Sequence, residues 1–68
     1  MIKFNKLFQY MAENDISRKQ LSQMTGINPS TITRLRRNEN VSLAFINKIC
    51  LALNLPIEAV LEYDPEEN

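Results

Sequence analysis

Histidine and tryptophan are absent from this 68-residue chain, and glycine and cysteine occur once each. Structural zinc needs several cysteine or histidine ligands, and a thiol nucleophile needs a neighbouring base. A lone Cys50 without any histidine therefore excludes zinc binding and a Cys–His pair. It also excludes an internal disulfide, which fits a cytoplasmic setting. One glycine cannot make a Gly-rich loop to cradle a phosphate, and no activated nucleophile or general base stands out, so neither an enzyme nor a cofactor is expected. The acids near the C-terminus, Glu62, Asp64, Glu66 and Glu67, lack the spacing and the glycine of a calcium loop, so no metal is expected there. No run approaches the roughly 18 apolar residues of a membrane span. The opening MIKFNKLF lacks the layout of a signal peptide.

Carboxylates are missing from one stretch in particular. Formal net charge is zero, with eight basic and eight acidic residues. Between Ile16 and Asn38, however, lie Arg18, Lys19, Arg34, Arg36 and Arg37 and no acid, while the last eleven residues hold five carboxylates. A molecule so divided can turn a basic face to nucleic acid and its acidic end away. Its affinity for random DNA should be weak, because that term follows the number of phosphates neutralised. A chain this short buries only about 60% of its unfolded surface, so one domain spanning 1–68 with modest stability is expected. At 44% apolar it still has the makings of a core.

Residues 17–37, SRKQLSQMTGINPSTITRLRR, read as two short helices and a tight turn. Ser17 is a good N-cap, with Gln20 three residues on as in a capping box. Leu21 and Met24 give an apolar side. Gly26 falls where the first of these helices must stop, since a left-handed residue is cheapest without a Cβ. Asn28 then caps a second helix opened by Pro29, whose missing N–H is no loss there. The turn of three residues, 26–28, is the connection of a helix-turn-helix. At about 100° per residue, Ile32 and Leu35 of the second helix point together toward the body of the protein. Ser30, Thr33, Arg34 and Arg37 point away, with Thr31 and Arg36 on the flanks. The outward face thus carries hydroxyls and guanidiniums and no carboxylate, which suits base edges and phosphates. A solvated face is the plain alternative. The regulatory reading requires that this helix not pack inward, and that its arginines not be tied up by the molecule's own carboxylates.

On Leu21, Gly26, Ile32 and Leu35, together with NVSLAFINKICLALNLPIEAVLEY at 40–63, the chain resembles the Cro/XRE-type (phage-repressor-like) helix-turn-helix family over roughly residues 4–63. The resemblance implies an all-α, compact five-helix bundle whose third helix, residues 29–37, enters the major groove. It also implies that Arg18 meets a phosphate and that Asn28, Ser30 and Arg34 face the groove. Joined to the wheel, this makes Asn28, Ser30, Thr33 and Arg34 the base-reading candidates. Arg18, Lys19, Thr31, Arg36 and Arg37 are the phosphate-contacting candidates, with base reading also open to Thr31. Two positions depart from the family pattern. Ser22 stands where alanine is usual, and its hydroxyl needs a partner. Asn38 stands where glycine usually ends the reading helix, and asparagine is the next best residue there.

Elsewhere, Phe4, Leu7, Phe8 and Met11 make residues 4–14 an amphipathic helix that Asn14-Asp15 breaks, and their aromatics are read as core. Ile16 is placed as the outer half of a hydrophobic staple to Leu21. Ser42 caps a helix with Leu43, Ile46, Cys50 and Leu53 in a stripe and Phe45 and Ile49 beside it, and Cys50 reads as a small core residue. Asn54 ends it. Pro56 opens a last short helix with Ile57, Val60 and Leu61 on one side, and residues 64–68 form a frayed acidic tail. The expected partner is double-stranded DNA, bound by a transcriptional regulator, with a repressor favoured. A homodimer through Val60, Leu61 and Tyr63 is one reading of the C-terminal region, and closure of the core by the same residues is the other. No small-molecule ligand or membrane is implied. The alternative function is a protein-interaction module of the same fold, antitoxin-like or polymerase/sigma-contacting.

Overall fold

The computed structural model describes residues 1–65. Four α-helices carry the architecture: α1 at Asn5–Glu13, α2 at Arg18–Thr25, α3 at Pro29–Arg36 and α4 at Leu43–Leu53. A 3-10 turn at Ile57–Ala59 follows, and two short strands, β1 at Ile2–Lys3 and β2 at Glu62–Tyr63, pair antiparallel with Ile2 opposite Tyr63 and Lys3 opposite Glu62. The bundle is therefore of the expected helix-turn-helix type, but its fifth helix shrinks to three residues. Pro56 sits in extended backbone (φ −70°, ψ 160°) as the residue before that turn rather than as its first member. The chain must then run back beside β1, which leaves no length for a full helix.

The strand pair also overturns part of the expected tail. Asp64 donates its backbone N–H to the Met1 carbonyl at 2.8 Å, and its carboxylate lies 3.2 Å from the Lys3 ammonium. Residues 66–68 of that tail lie outside the described residues.

The buried core is one cluster and wholly apolar among the described residues: Phe4, Leu7, Met11, Leu21, Ile27, Ile32, Leu35, Ile46, Ile49, Leu53 and Val60. Ile16, Phe8, Phe45 and Cys50 pack against it half-buried, as their spacing predicts. Helix α2 packs on both α3 and α4, so the motif is braced from behind. Leu43 departs from its expected place, while Val60 and Leu61 follow the core-closing reading of the C-terminal region. Leu43 is 74% exposed, because it is the first residue of α4 and the helix meets the core from Phe45 onward. Val60 is completely buried and Leu61 half-buried against the core, so Tyr63 alone of the three dimer candidates is exposed. Among the described residues, no helix is long and apolar enough to cross a membrane.

Each helix end uses a left-handed or polar device suited to a chain with a single glycine. Gly26 (φ 74°) ends α2, and Asp15, Asn38 and Asn54 (φ 54°, 58° and 54°) stand just past α1, α3 and α4. After α1, the Ile16 N–H reaches the Met11 carbonyl at 2.8 Å. After α3, the Glu39 N–H reaches Arg34 at 3.0 Å and the Asn38 N–H reaches Leu35 at 2.9 Å. These are the paired bonds of a Schellman ending, which satisfy carbonyls that would otherwise lack partners. Asn38 does a second job: its Oδ1 accepts the Phe4 backbone N–H at 2.8 Å, tying the end of α3 to the entry of α1.

Candidate nucleic-acid interface

The junction of α2 and α3 is fixed by short-range hydrogen bonds. The Ser17 hydroxyl accepts the Gln20 N–H at 3.0 Å, and the Gln20 side chain accepts the Ser17 N–H at 2.8 Å, completing the capping box. At the other end of α2, the Ser22 hydroxyl donates to the Ile27 carbonyl. That is the partner its hydroxyl required. Thr25 Oγ1 donates to the Leu21 carbonyl at 2.7 Å and accepts the Ile27 N–H at 3.2 Å. Both polar groups of Ile27 are thereby satisfied while its side chain is buried at 1% exposure. Asn28 Oδ1 accepts the Ser30 N–H at 2.9 Å, and Pro29 opens α3. With Ile32 and Leu35 fully buried, α3 has only one rotation open to it.

That rotation presents the candidate side chains. Arg18, Lys19, Asn28, Ser30, Arg34, Arg36 and Arg37 are exposed, and Thr31 and Thr33 half-buried. The Ser30 hydroxyl donates to Asn28 Oδ1 at 2.8 Å, and the Thr33 hydroxyl to the Pro29 carbonyl at 3.2 Å. Arg36 leans away from the others and places its guanidinium 5.3 Å from the centre of the Phe8 ring, within cation–π reach. It joins Arg18 there. The two line an open hollow of about 380 Å³ together with Phe8, Met11, Ala12, Ile16 and Ser17. The candidates thus fall into two groups, one along the outer face of α3 and one where α1, α2 and the end of α3 meet.

One acid was not foreseen on this face. The Glu39 carboxylate lies 3.6 Å from Arg34 Nε and 3.8 Å from an Arg37 terminal nitrogen. Arg34 also donates to the Asn40 carbonyl at 3.1 Å. The cause is the Schellman ending, which folds residue 39 back over the last turn. The expectation of a carboxylate-free face therefore fails at its C-terminal edge. The arginines are not withdrawn by it: the Arg34 and Arg37 side chains keep 55% and 70% of their exposure. Exposed pairs of this kind contribute about 0–1 kcal/mol, too little to hold a guanidinium against a phosphate or a guanine.

Residues 6–66 match the model of the Cro/C1-type helix-turn-helix DNA-binding domain. The chain belongs to that family. A solved structure agrees: the Cro/C1-type chain is similar to the crystal structure of the transcriptional regulator VanUg (Form II) at 33% identity and a TM-score of 0.82, over 90% of this chain and 81% of that one. No curated protein sequence matches the chain. In this Cro/C1-type domain the sequence had marked the motif, its caps and the inward Leu21, Ile32 and Leu35, but had misplaced Met24, which is paired with Leu21 by spacing and stands exposed at the end of α2. It had missed Glu39, and the signal for it was Asn38: a left-handed residue after a helix brings the next N–H back to the last turn.

Proposed function

We propose that this Cro/C1-type domain is a sequence-specific transcriptional regulator, acting as a repressor, that reads the major groove with α3. The observation that carries the reading is the orientation of α3. Its apolar side is locked into the core by Ile32 and Leu35, so Ser30, Thr33, Arg34 and Arg37 have no inward alternative. Arg34 would take guanine O6 and N7 as a bidentate pair. Ser30 and Thr33 donate their own protons within the chain, so each offers lone pairs to an adenine or cytosine amino group. Asn28 keeps its amide nitrogen for the groove while its oxygen caps α3. Arg18, Lys19, Thr31, Arg36 and Arg37 would fix register on phosphates, and the hollow between Arg18 and Arg36 would receive the sugar–phosphate edge. One helix reads few base pairs, so two copies on half-sites about one helical turn apart complete the proposal. Such a regulator would work in the cytoplasm beside its DNA.

Selection from a randomised duplex pool tests this. Salt-sensitive enrichment of a palindromic motif is expected. The protein-interaction alternative draws on the zero net charge and on Glu39 beside two arginines, and it expects no enrichment even at low salt.

Two variants separate the assigned roles. Arg34→Ala is expected to lose about 1–3 kcal/mol on the selected site and to relax preference at one base pair. Arg18→Ala should weaken every sequence alike and lower the salt slope by about one. Equal losses from Arg34→Ala on selected and scrambled duplexes would remove Arg34 from base reading.

A further inference from the structure

We infer that Glu39 is a positioning residue that sets sequence discrimination by aiming the Arg34 guanidinium, while its charge beside Arg37 weakens phosphate binding on every sequence alike. The inference rests on the reading of α3 as the groove helix and adds a residue to it.

Three observations lead there. First, Glu39 is not on a free loop. Its N–H is bonded to the Arg34 carbonyl at 3.0 Å, and the preceding Asn38 is held in left-handed backbone and by the Phe4 N–H at 2.8 Å. The carboxylate is therefore delivered to the last turn of α3 by the backbone itself. Second, Arg34 donates from one terminal nitrogen to the Asn40 carbonyl at 3.1 Å, and its Nε lies 3.6 Å from the Glu39 carboxylate, an ion pair without a hydrogen bond. The bond and the nearby charge together bias the plane of a rigid fork, and the bond to Asn40 takes only one of its five N–H groups. Third, the same carboxylate lies 3.8 Å from Arg37, whose side chain is 70% exposed. A negative charge at that spot weakens attraction to any phosphate, whatever the sequence.

An exposed pair adds little to folding, so the effect of Glu39 falls on binding. Orientation of Arg34 favours the correct base pair, and the charge near Arg37 disfavours all sequences equally. Only the first widens the gap between selected and random DNA; the second lowers affinity for both.

The test is titration of wild type, Glu39→Gln, Arg34→Ala and the double variant on the selected duplex and a scrambled one, over a range of salt. Glu39→Gln is expected to bind scrambled DNA about threefold more tightly, with a salt slope steeper by about one. Its preference for the selected site should fall about threefold, the scale of an exposed ion pair. In the Arg34→Ala background the same change should leave preference unaltered. Equal tightening on both duplexes would make Glu39 a mere charge brake and overturn the inference. So would an undiminished loss of preference when Arg34 is already gone. If wild type selects no motif at all, the groove reading falls and this inference with it. If wild type selects a motif and Glu39→Gln keeps the full preference, only this inference falls.

Discussion

Ile32→Ala is expected to cost about 2–5 kcal/mol and to lower Tm by roughly 10–30 °C, losing the fold before any question of DNA affinity arises. Ile32 is fully buried on the inner face of α3, in the same cluster as Leu21, Leu35 and Ile49. Removing its branched chain leaves a cavity that short, mutually braced helices cannot readily close. A chain of this length has a total stability of about 3–10 kcal/mol, so one such cavity consumes much of it. Loss of packing there also frees the rotation of α3 on which every proposed groove contact depends. Thermal unfolding followed by circular dichroism measures this, with Ile32→Val as the mild control at about 0.5–1.5 kcal/mol. A cooperative transition within a few degrees of wild type for Ile32→Ala would show that the inner face of α3 does not hold the bundle together.

The second large effect is expected at a polar residue. Asn38→Ala should destabilise by about 2–5 kcal/mol, from two separable sources. Alanine at φ 58° meets the steric cost of left-handed backbone, about 1–2 kcal/mol. The part-buried Phe4 N–H also loses its acceptor, and a donor left without one costs about 1–3 kcal/mol. Asn38→Gly keeps the backbone hand and loses only the acceptor, so it should fall about midway between wild type and Asn38→Ala. Urea unfolding with a common m-value tests the pair. Equal midpoints for Asn38→Gly and Asn38→Ala would mean that backbone hand contributes nothing, and a wild-type midpoint for both would sink the account of this corner.

The motif was readable in the sequence because its stops and starts are local chemistry. Ser17 with Gln20, Gly26, and Asn28 with Pro29 each act within three residues, and the structure shows each in the role its side chain suggests. The buried face of α3 was readable for a similar reason, since Ile32 and Leu35 follow the helical period. What escaped detection depends on distant chain. Strands of two residues have no alternation to detect, and β1 finds β2 sixty residues away. That pairing draws the chain after Asn54 into a return path and shortens the fifth helix to a 3-10 turn. Leu43 obeyed the helical spacing yet lies outside the core, because periodicity gives direction around an axis and says nothing of where along it the neighbours end. Glu39 escaped for a subtler cause. It stands one position past the acid-free window, and only the reversal at Asn38 returns it to the arginines.

The stacking of Arg36 on Phe8 has a consequence of its own. On the proposed reading, a cation destined for the DNA backbone rests against a ring belonging to the first helix, an element that offers no candidate contact itself. The pitch at which that cation approaches the duplex is then partly set by an aromatic in the scaffold. Operator preference in this molecule can accordingly drift through substitutions behind the reading surface, with every base-facing side chain left as it is.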